Sequence, residues 1–364
     1  MLDSAEEEWP YDTAHGQLHG PAVLSSVRVD TYNAELRNEE GFVGDRASRR
    51  AFDAILETWR ERLRRATGVD PFGGTPGDWL GKARLAEVLA RGEQDAAGAI
   101  LGAVEDFAQE LFAVVRRFLS LPQWRGTERI AVGGGFRSGR IGELAIARAA
   151  ALLLAEGHSV ALQSIRHHPD EAGLIGGAHL APPWMFAGHD ALLAVDIGGT
   201  NIRAGVVRPR LGRKFSLRRV SLWKAELWRH VEDKPGREEA IERLGEMLRR
   251  LVARAERHEL RVAPFVAVGC PGLIRSDGRI ERGGQNLPGD WEEKGFSLPR
   301  GIRAALPMVG GHETMAVMHN DAVVQGLSEA PCMRDVERWG VLTIGTGLGN
   351  ARFTNRAKPD NPRA

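Results

Sequence analysis

The sequence predicts a mixed α/β fold, and three observations predict it. Two β-rich runs, "ALLAVDIGGTNIRAGVVRP" and "WGVLTIGTGLGNARF", each bend about a glycine turn, which is a hairpin signal. Several longer segments carry apolar residues at three- and four-residue spacing, the period of an amphipathic helix. Short apolar runs such as "RIAVGGGF" end in glycines and lead into helical patterns. At 364 residues and 43% hydrophobic content the chain has enough apolar surface for one large domain or two lobes.

The elements follow in order. The stretch from Met1 to about Gly20 has no clear period and reads as an irregular arm. Ala51, Phe52, Ile55, Leu56, Trp59 and Leu63 form one stripe, predicting a helix over Arg46 to Arg65 that ends before the turn-rich "DPFGGTPGDW". Further helices are predicted at Leu85 to Arg91 and from about Ala96 to Leu119, the latter on Ile100, Val104, Phe107, Leu111, Val115 and Phe118. Arg129 to Phe136 reads as a buried strand ending in three glycines. "GELAIARAAALLLAEG" reads as a helix closed by Gly157, and "SVALQSI" as another strand. "DEAGLIGGAHLA", Asp170 to Ala181, starts a helix whose small residues permit close backbone approach. A helix from Arg237 to Glu259, a buried strand "FVAVGCPGLI" and a polar loop "ERGGQNLPGDW" precede the second hairpin.

Charge and cysteine usage exclude several classes. With 49 basic and 48 acidic residues, no global field draws the chain to nucleic acid or an anionic membrane. Cys270 and Cys332 stand far apart and supply neither a disulfide framework nor a cysteine zinc site, so no zinc is expected. The start "MLDSAEEEWPYD" is acidic where a secretory signal is basic and then apolar, and no run of about 18 apolar residues occurs. A cytoplasmic protein is the expectation.

"DIGGTN", Asp196 to Asn201, sets a carboxylate at a strand end beside a turn whose amides can face phosphate oxygens, with Thr200 and Asn201 as added donors. A plain glycine hairpin explains one such turn equally well. "GTGLGN", Gly345 to Asn350, repeats the design with Thr346, and two in one chain are harder to dismiss. "GGGFRSGR", Gly133 to Arg140, lacks the glycine spacing of a dinucleotide fingerprint; it leaves a nucleoside surface or tight helix-to-sheet packing as alternatives. "HNDAVVQG" sets Asn320 and Asp321 ahead of a helical run, where Asp321, taken alone, reads as a helix cap. Asn286 and Asp290 lie in a loop suited to polyol hydroxyls or to a solvated turn. Of the 11 histidines, His167 and His168 are adjacent, and none is assigned as a metal ligand.

Together these pieces resemble the ROK family of sugar kinases, within the hexokinase, actin and Hsp70 superfamily. "DIGGTNIRAGVV" resembles the family's first phosphate motif, "GCPGLIRSDGRIERGGQNLPGDW" its sugar loop, "HNDAVVQGLSE" its catalytic Asn-Asp segment and "TIGTGLGNARF" its second phosphate motif. The family's later parts, a helical region, a strand with "GGG" and an "AGLIGAA"-like segment, lie here ahead of the first phosphate motif, from Leu85 to Ala181. The resemblance therefore implies a two-lobed actin-like ATPase fold of ribonuclease H-like type, circularly permuted. The implied divisions are an arm over 1–22, the family's C-terminal half over 23–187, its N-terminal half over 188–335, and the second phosphate hairpin with a tail over 336–364.

The resemblance implies ATP-dependent phosphoryl transfer to a hexose hydroxyl, with Mg²⁺. Asp321 would be the catalytic base, with Asn320 and Asn286 holding the sugar and Asp196 holding Mg²⁺ through water. Gly198, Gly199, Thr200, Asn201, Gly345, Thr346, Gly347 and Gly349 would bind the phosphates, and Gly134, Gly135 and Gly173 would border the adenosine. The implied partner is a small-molecule sugar, with homodimerisation left open. The family's Glu-x-Gly-His segment and cysteine-rich zinc site have no match here; "AHGQLHG" and "EEGFVGD" stand near that place by position only. A silent sugar or nucleotide sensor is the alternative. A DNA-binding repressor is disfavoured because Met1 to Glu40 shows no pair of helices joined by a turn.

Overall fold

The structure, a computed structural model, describes residues 22–38, 41–77, 80–209 and 217–356. The expected N-terminal arm and the end of the tail lie outside the described residues. The chain divides into two compact units. The first runs over Glu171–Pro331 with the described residues up to Val29 and from Thr354; the second comprises Asp30–Asp170 and Cys332–Phe353.

In the second unit, β1 (Val27–Tyr32) and the ribbon of β2 (Arg37–Asn38) and β3 (Gly41–Phe42) precede three helices. Helix α1 (Arg49–Thr67) starts on Ser48, whose hydroxyl accepts from the Ala51 amide, and stops at Gly68 with φ 73°. Helix α2 (Lys82–Arg91) likewise ends on left-handed Gly92, and α3 (Gln94–Ser120) buries the predicted stripe from Ile100 to Phe118. Strand β4 (Arg129–Gly133), α4 (Arg140–Ala155) and β5 (Ala161–Ser164) follow, and β15 (Arg338–Ile344) and β16 (Leu348–Asn355) complete the sheet in the order β1-β16-β15-β4-β5. Strands β15, β4 and β5 are parallel. The three-residue link between β15 and β16 leaves only antiparallel pairing open to them. Phe52, Phe107 and Phe136 meet with ring centroids 4.7–5.7 Å apart, a core of tilted and edge contacts.

The first unit has α5 (Pro169–Gly177), β6 (Ala191–Ile197), β7 (Ile202–Pro209), β8 (Val220–Trp228), the short α6 (His230–Asp233) and α7 (Arg237–Arg257). After β9 (Val262–Cys270) come the ribbon β10 (Leu273–Ile274) with β11 (Ile280–Arg282), α8 (Leu298–Ala305), the ribbon β12 (Met308–Val309) with β13 (His312–Glu313), β14 (Met315–Asn320) and α9 (Asp321–Leu327). Its sheet runs β14-β9-β6-β7-β8, with β6, β9 and β14 parallel and β7 and β8 added antiparallel. Every residue of β6 is buried, as a central strand covered on both faces requires.

Both sheets have one strand order. Reading β6, β7, β8, β9 and β14 as first to fifth gives third-second-first-fourth-fifth, and β15, β16, β1, β4 and β5 give the same. In the second unit the third strand is the first in the chain. This two-sheet α/β architecture is the fold class that the resemblance implies. The change from the second unit to the first falls near Glu171. Glycines of α5 pack on the first unit: side chains at Gly176 and Gly177 would strike Val324 of α9 and Ala194 and Ala267 of the sheet.

Candidate active site

The first unit gathers the acidic residues. Asp196 lies near the end of β6, is 3% exposed, and pairs across the hairpin with Arg203, whose guanidinium is 3.5 Å from its carboxylate. In register Asp196 faces Gly269 of β9, and Cys270 faces Asn320 of β14. Asp196 and Asp321 thus sit at the ends of strands separated by β9, two inter-strand spacings or roughly 10 Å apart across the sheet. Burial, and then the Asp196 charge, push the Asp321 carboxyl up to about 7, although its Oδ1 accepts from the Ala322 amide at 2.9 Å. Full burial, and then the charges of Asp321 and Asp196, hold the Cys270 thiol well above its ordinary value.

Asn320, not Asp321, caps α9. Its Oδ1 accepts from Ala322 and Val323 at 3.0 and 3.4 Å, and its Nδ2 donates to the Gly272 carbonyl at 3.0 Å. This corrects the reading of Asp321 as the cap. It also makes Asn320 a positioning residue: a buried amide engaged on both sides aims Asp321 and ties down the start of the 272–292 loop. In that loop Glu292 accepts from the Gly284 amide at 2.7 Å, Trp291 is buried, and Asn286 is exposed without a side-chain partner among the described residues.

The glycine-rich turns divide by the reason for their glycines. A Cβ at Gly173 would lie 2.5 Å from the Asp196 carboxylate, so this glycine makes room for the acid. Gly134, at φ 82°, would bring a Cβ to 2.5 Å from the Ile344 backbone, so it is required by conformation and by packing. Gly198, Gly345 and Gly347 differ: none has positive φ, and a Cβ would meet nothing closer than 3.6 Å. The backbone does not demand glycine there, and the space that a side chain would take is open.

The first turn is closed by the Gly198 amide on the Asn201 carbonyl at 2.9 Å. It is braced by buried His230, whose Nε2–H donates to the Gly198 carbonyl at 2.9 Å, while Thr200 is exposed. In the second unit the Gly345 amide donates to the Gly347 carbonyl and the Arg49 amide to the Gly345 carbonyl, both at 2.9 Å. Thr346 and Gly349 are half-buried there, and Asn350 is buried with its amide clamped on both backbone groups of Ala34. Gly135 is exposed, and its carbonyl accepts from Lys82. Sequence reasoning missed His230 and Lys82, because neither stands in a motif.

Hard oxygen donors suit Mg²⁺, which takes one or two carboxylates and completes its shell with water and phosphate. Asp196 and Asp321 offer that set, and no larger group of metal-ligating side chains occurs among the described residues. No helix among the described residues is long and apolar enough to cross a membrane.

Fold and site together define an α/β protein of two like-ordered sheets, one of which ends in paired acids. No protein-family model and no curated protein matches the chain. Among solved structures it is similar to the ROK hexokinase of Thermus thermophilus, at 23% identity over 48% of this chain and 50% of that one, with a TM-score of 0.34. It is also similar to the inorganic polyphosphate/ATP-glucomannokinase of Arthrobacter sp. strain KM, at 24% identity over 46% and 61%, with a TM-score of 0.32. The chain thus spans about half to three fifths of the length of these structures.

Proposed function

We propose that the protein is an ATP-dependent sugar kinase that transfers a γ-phosphoryl group to a hexose hydroxyl. The observation that carries this reading is the pair of acids at the strand ends of the first unit, buried Asp196 and half-buried Asp321, whose carboxyl is raised by desolvation and then by the Asp196 charge. A carboxyl with a pKa of about 7 is deprotonated in a useful fraction near neutrality and basic enough to accept a hydroxyl proton. In the step proposed, the acceptor O–H proton passes to Asp321 as the sugar oxygen bonds to phosphorus. The bond from phosphorus to the β,γ-bridging oxygen breaks, and ADP leaves with that electron pair.

Asp196 is the residue that would hold Mg²⁺ through water, and the metal would supply charge neutralisation on the phosphates. Amides and hydroxyls at Gly199, Thr200 and Asn201 in one unit, and at Thr346, Gly347 and Gly349 in the other, are assigned to phosphate oxygens, while Gly198 and Gly345, whose amides close the two turns, leave room for the phosphates beside them. Asn286, exposed and unpartnered, is assigned to sugar hydroxyls. The reading is tested by coupled ADP release across hexoses, N-acetylated amino sugars and polyols. Sugar-dependent ADP formation is expected; sugar binding without it would establish the silent sensor instead.

Permutation belongs to the same reading. Arg356 donates from its amide to the Ser26 carbonyl at 3.1 Å and from its guanidinium to the Leu24 carbonyl at 3.0 Å. Joining Arg356 to Leu24 by a short linker and opening the chain ahead of Ala191 is therefore expected to give a folded, active protein of ordinary family order. An insoluble product would count against it.

A further inference from the structure

We infer that the rim formed in the second unit by Lys82, Arg49 and the 135–139 loop binds a condensed phosphate chain, the chemistry shared by a nucleoside triphosphate and inorganic polyphosphate. The inference rests on the phosphotransfer reading and deepens it by naming which part of the donor this unit grips. A pocket here is lined by Arg49, Lys82 and Gly139 above an apolar floor that includes Phe52, Leu85 and Phe136. Phe52 and Phe136 pack on one another at 5.1 Å, so the floor is closed on itself and the chemistry on offer is at the charged rim.

Lys82 is half-buried and has no carboxylate within ion-pair distance among the described residues. Its ammonium donates to the Gly135 carbonyl and, at 2.8 Å, to Ser138 Oγ, which leaves the third proton for a ligand. Burial and then the neighbouring Arg49 charge lower its pKa, with Asp170 acting weakly the other way, so an anion placed here relieves an existing repulsion. Arg49 holds Asp53 through Nε, at 2.8 and 3.0 Å, and both terminal nitrogens of its fork are without a partner among the described residues. Its own amide is fixed on Gly345 at the base of the second glycine turn, so the cations run from that turn to the glycine loop.

Two more cations belong to this loop and the helix after it. Half-buried Arg137 has an Nε without a hydrogen-bond partner among the described residues, and Arg140 opens the sixteen-residue α4, which begins without a side-chain cap. Against these stand Asp53, Glu143 at 3.9 Å from Arg140, and Asp170. A row of cations with few acids, anchored at a phosphate-type turn, is complementary to a linear polyanion more than to a single carboxylate or a neutral base.

The test is calorimetric titration of the full chain with tripolyphosphate, Mg-ATP and adenosine at low and moderate salt. Salt-weakened binding of tripolyphosphate and Mg-ATP is expected. Lys82→Gln and Arg49→Gln should each weaken both by about tenfold, the usual loss for a hydrogen bond to a charged group. Lys82→Arg should restore it. Loss of tripolyphosphate binding alone, with ATP unaffected, would restrict the site to inorganic chains and still support it. Failure of the wild-type chain to bind tripolyphosphate, unchanged binding in folded Lys82→Gln, or adenosine binding as tightly as ATP would each overturn the inference. Asp321→Asn should leave this binding intact, so a chain that binds tripolyphosphate but forms no sugar-dependent ADP would sink the kinase reading and not this one.

Discussion

The two sheets share a strand order yet end in different chemistry. Strand β6 carries Asp196 opposite Gly269 of the neighbouring parallel strand, and β15 carries Thr343 opposite Gly133 at the same point of the register. Beyond those glycines stand Cys270 in one sheet and Gly134 in the other. The fifth strand of the first unit runs into Asn320 and Asp321, whereas that of the second ends at Ser164. One scaffold thus offers two sets of strand ends and glycine turns; acids occupy one set and a surround of cations the other. The fold alone does not locate chemistry, because the same register position can hold a carboxylate or a hydroxyl without altering a backbone hydrogen bond.

The largest expected effect comes from removing the base at the acidic end. Asp321→Asn should lower kcat by roughly a hundredfold or more with sugar binding retained, the usual size of a general-base contribution. Since Asn320 is the cap, this variant leaves the helix start intact. A kcat within a few-fold of wild type would remove Asp321 from the mechanism.

The same variant should be more stable than wild type above neutrality. The folded-state pKa of about 7 lies above the unfolded value of about 3.9, so the native state binds the proton more tightly. The cost of ionising Asp321 is absent below about pH 4, grows between 4 and 7, and is complete above 7, where it is on the order of a few kcal/mol. Denaturant titrations at pH 8 and pH 4 should show a gap that closes in acid; an equal gap at both would exclude the linkage. Activity that depends on the carboxylate should fall as pH drops through the same region.

A third set of variants contrasts the glycines. Gly173→Ala should displace Asp196 and cost roughly 1–3 kcal/mol, as overpacking does, and Gly134→Ala should destabilise by a similar or larger amount through its positive φ. Gly347→Val, in open space, should leave thermal stability nearly unchanged while abolishing the rise in melting temperature that Mg-ATP gives the wild type. If that rise survives, the second turn is structural only. The smallest effect is expected for His230→Ala: about 1 kcal/mol from the lost bond to Gly198, with weaker Mg-ATP binding through the loosened first turn.

Much of this was legible in the sequence. The stripes of α1, α3 and α7 and the hairpins of β6 with β7 and β15 with β16 follow from periodicity and turn residues, because local patterns record which face of an element is buried. The strands β1 and β8 were not so marked. Half-buried or exposed along much of their length, they show a weaker alternation than the central strands.

What the sequence determined by itself was the mixed α/β class, the order of helices and hairpins, and the presence of two acids and two glycine-rich hairpin turns. Only the tertiary structure decided that β1 joins the sheet of the chain's last strands, that Asn320 caps α9, and that Lys82 reaches a carbonyl fifty-three residues away. It also sorted the glycines. One residue type answers to a positive φ at Gly134, to a neighbouring carboxylate at Gly173 and to open space at Gly347, and these are distinguished by what lies across from each, which is set by packing between segments distant in the chain.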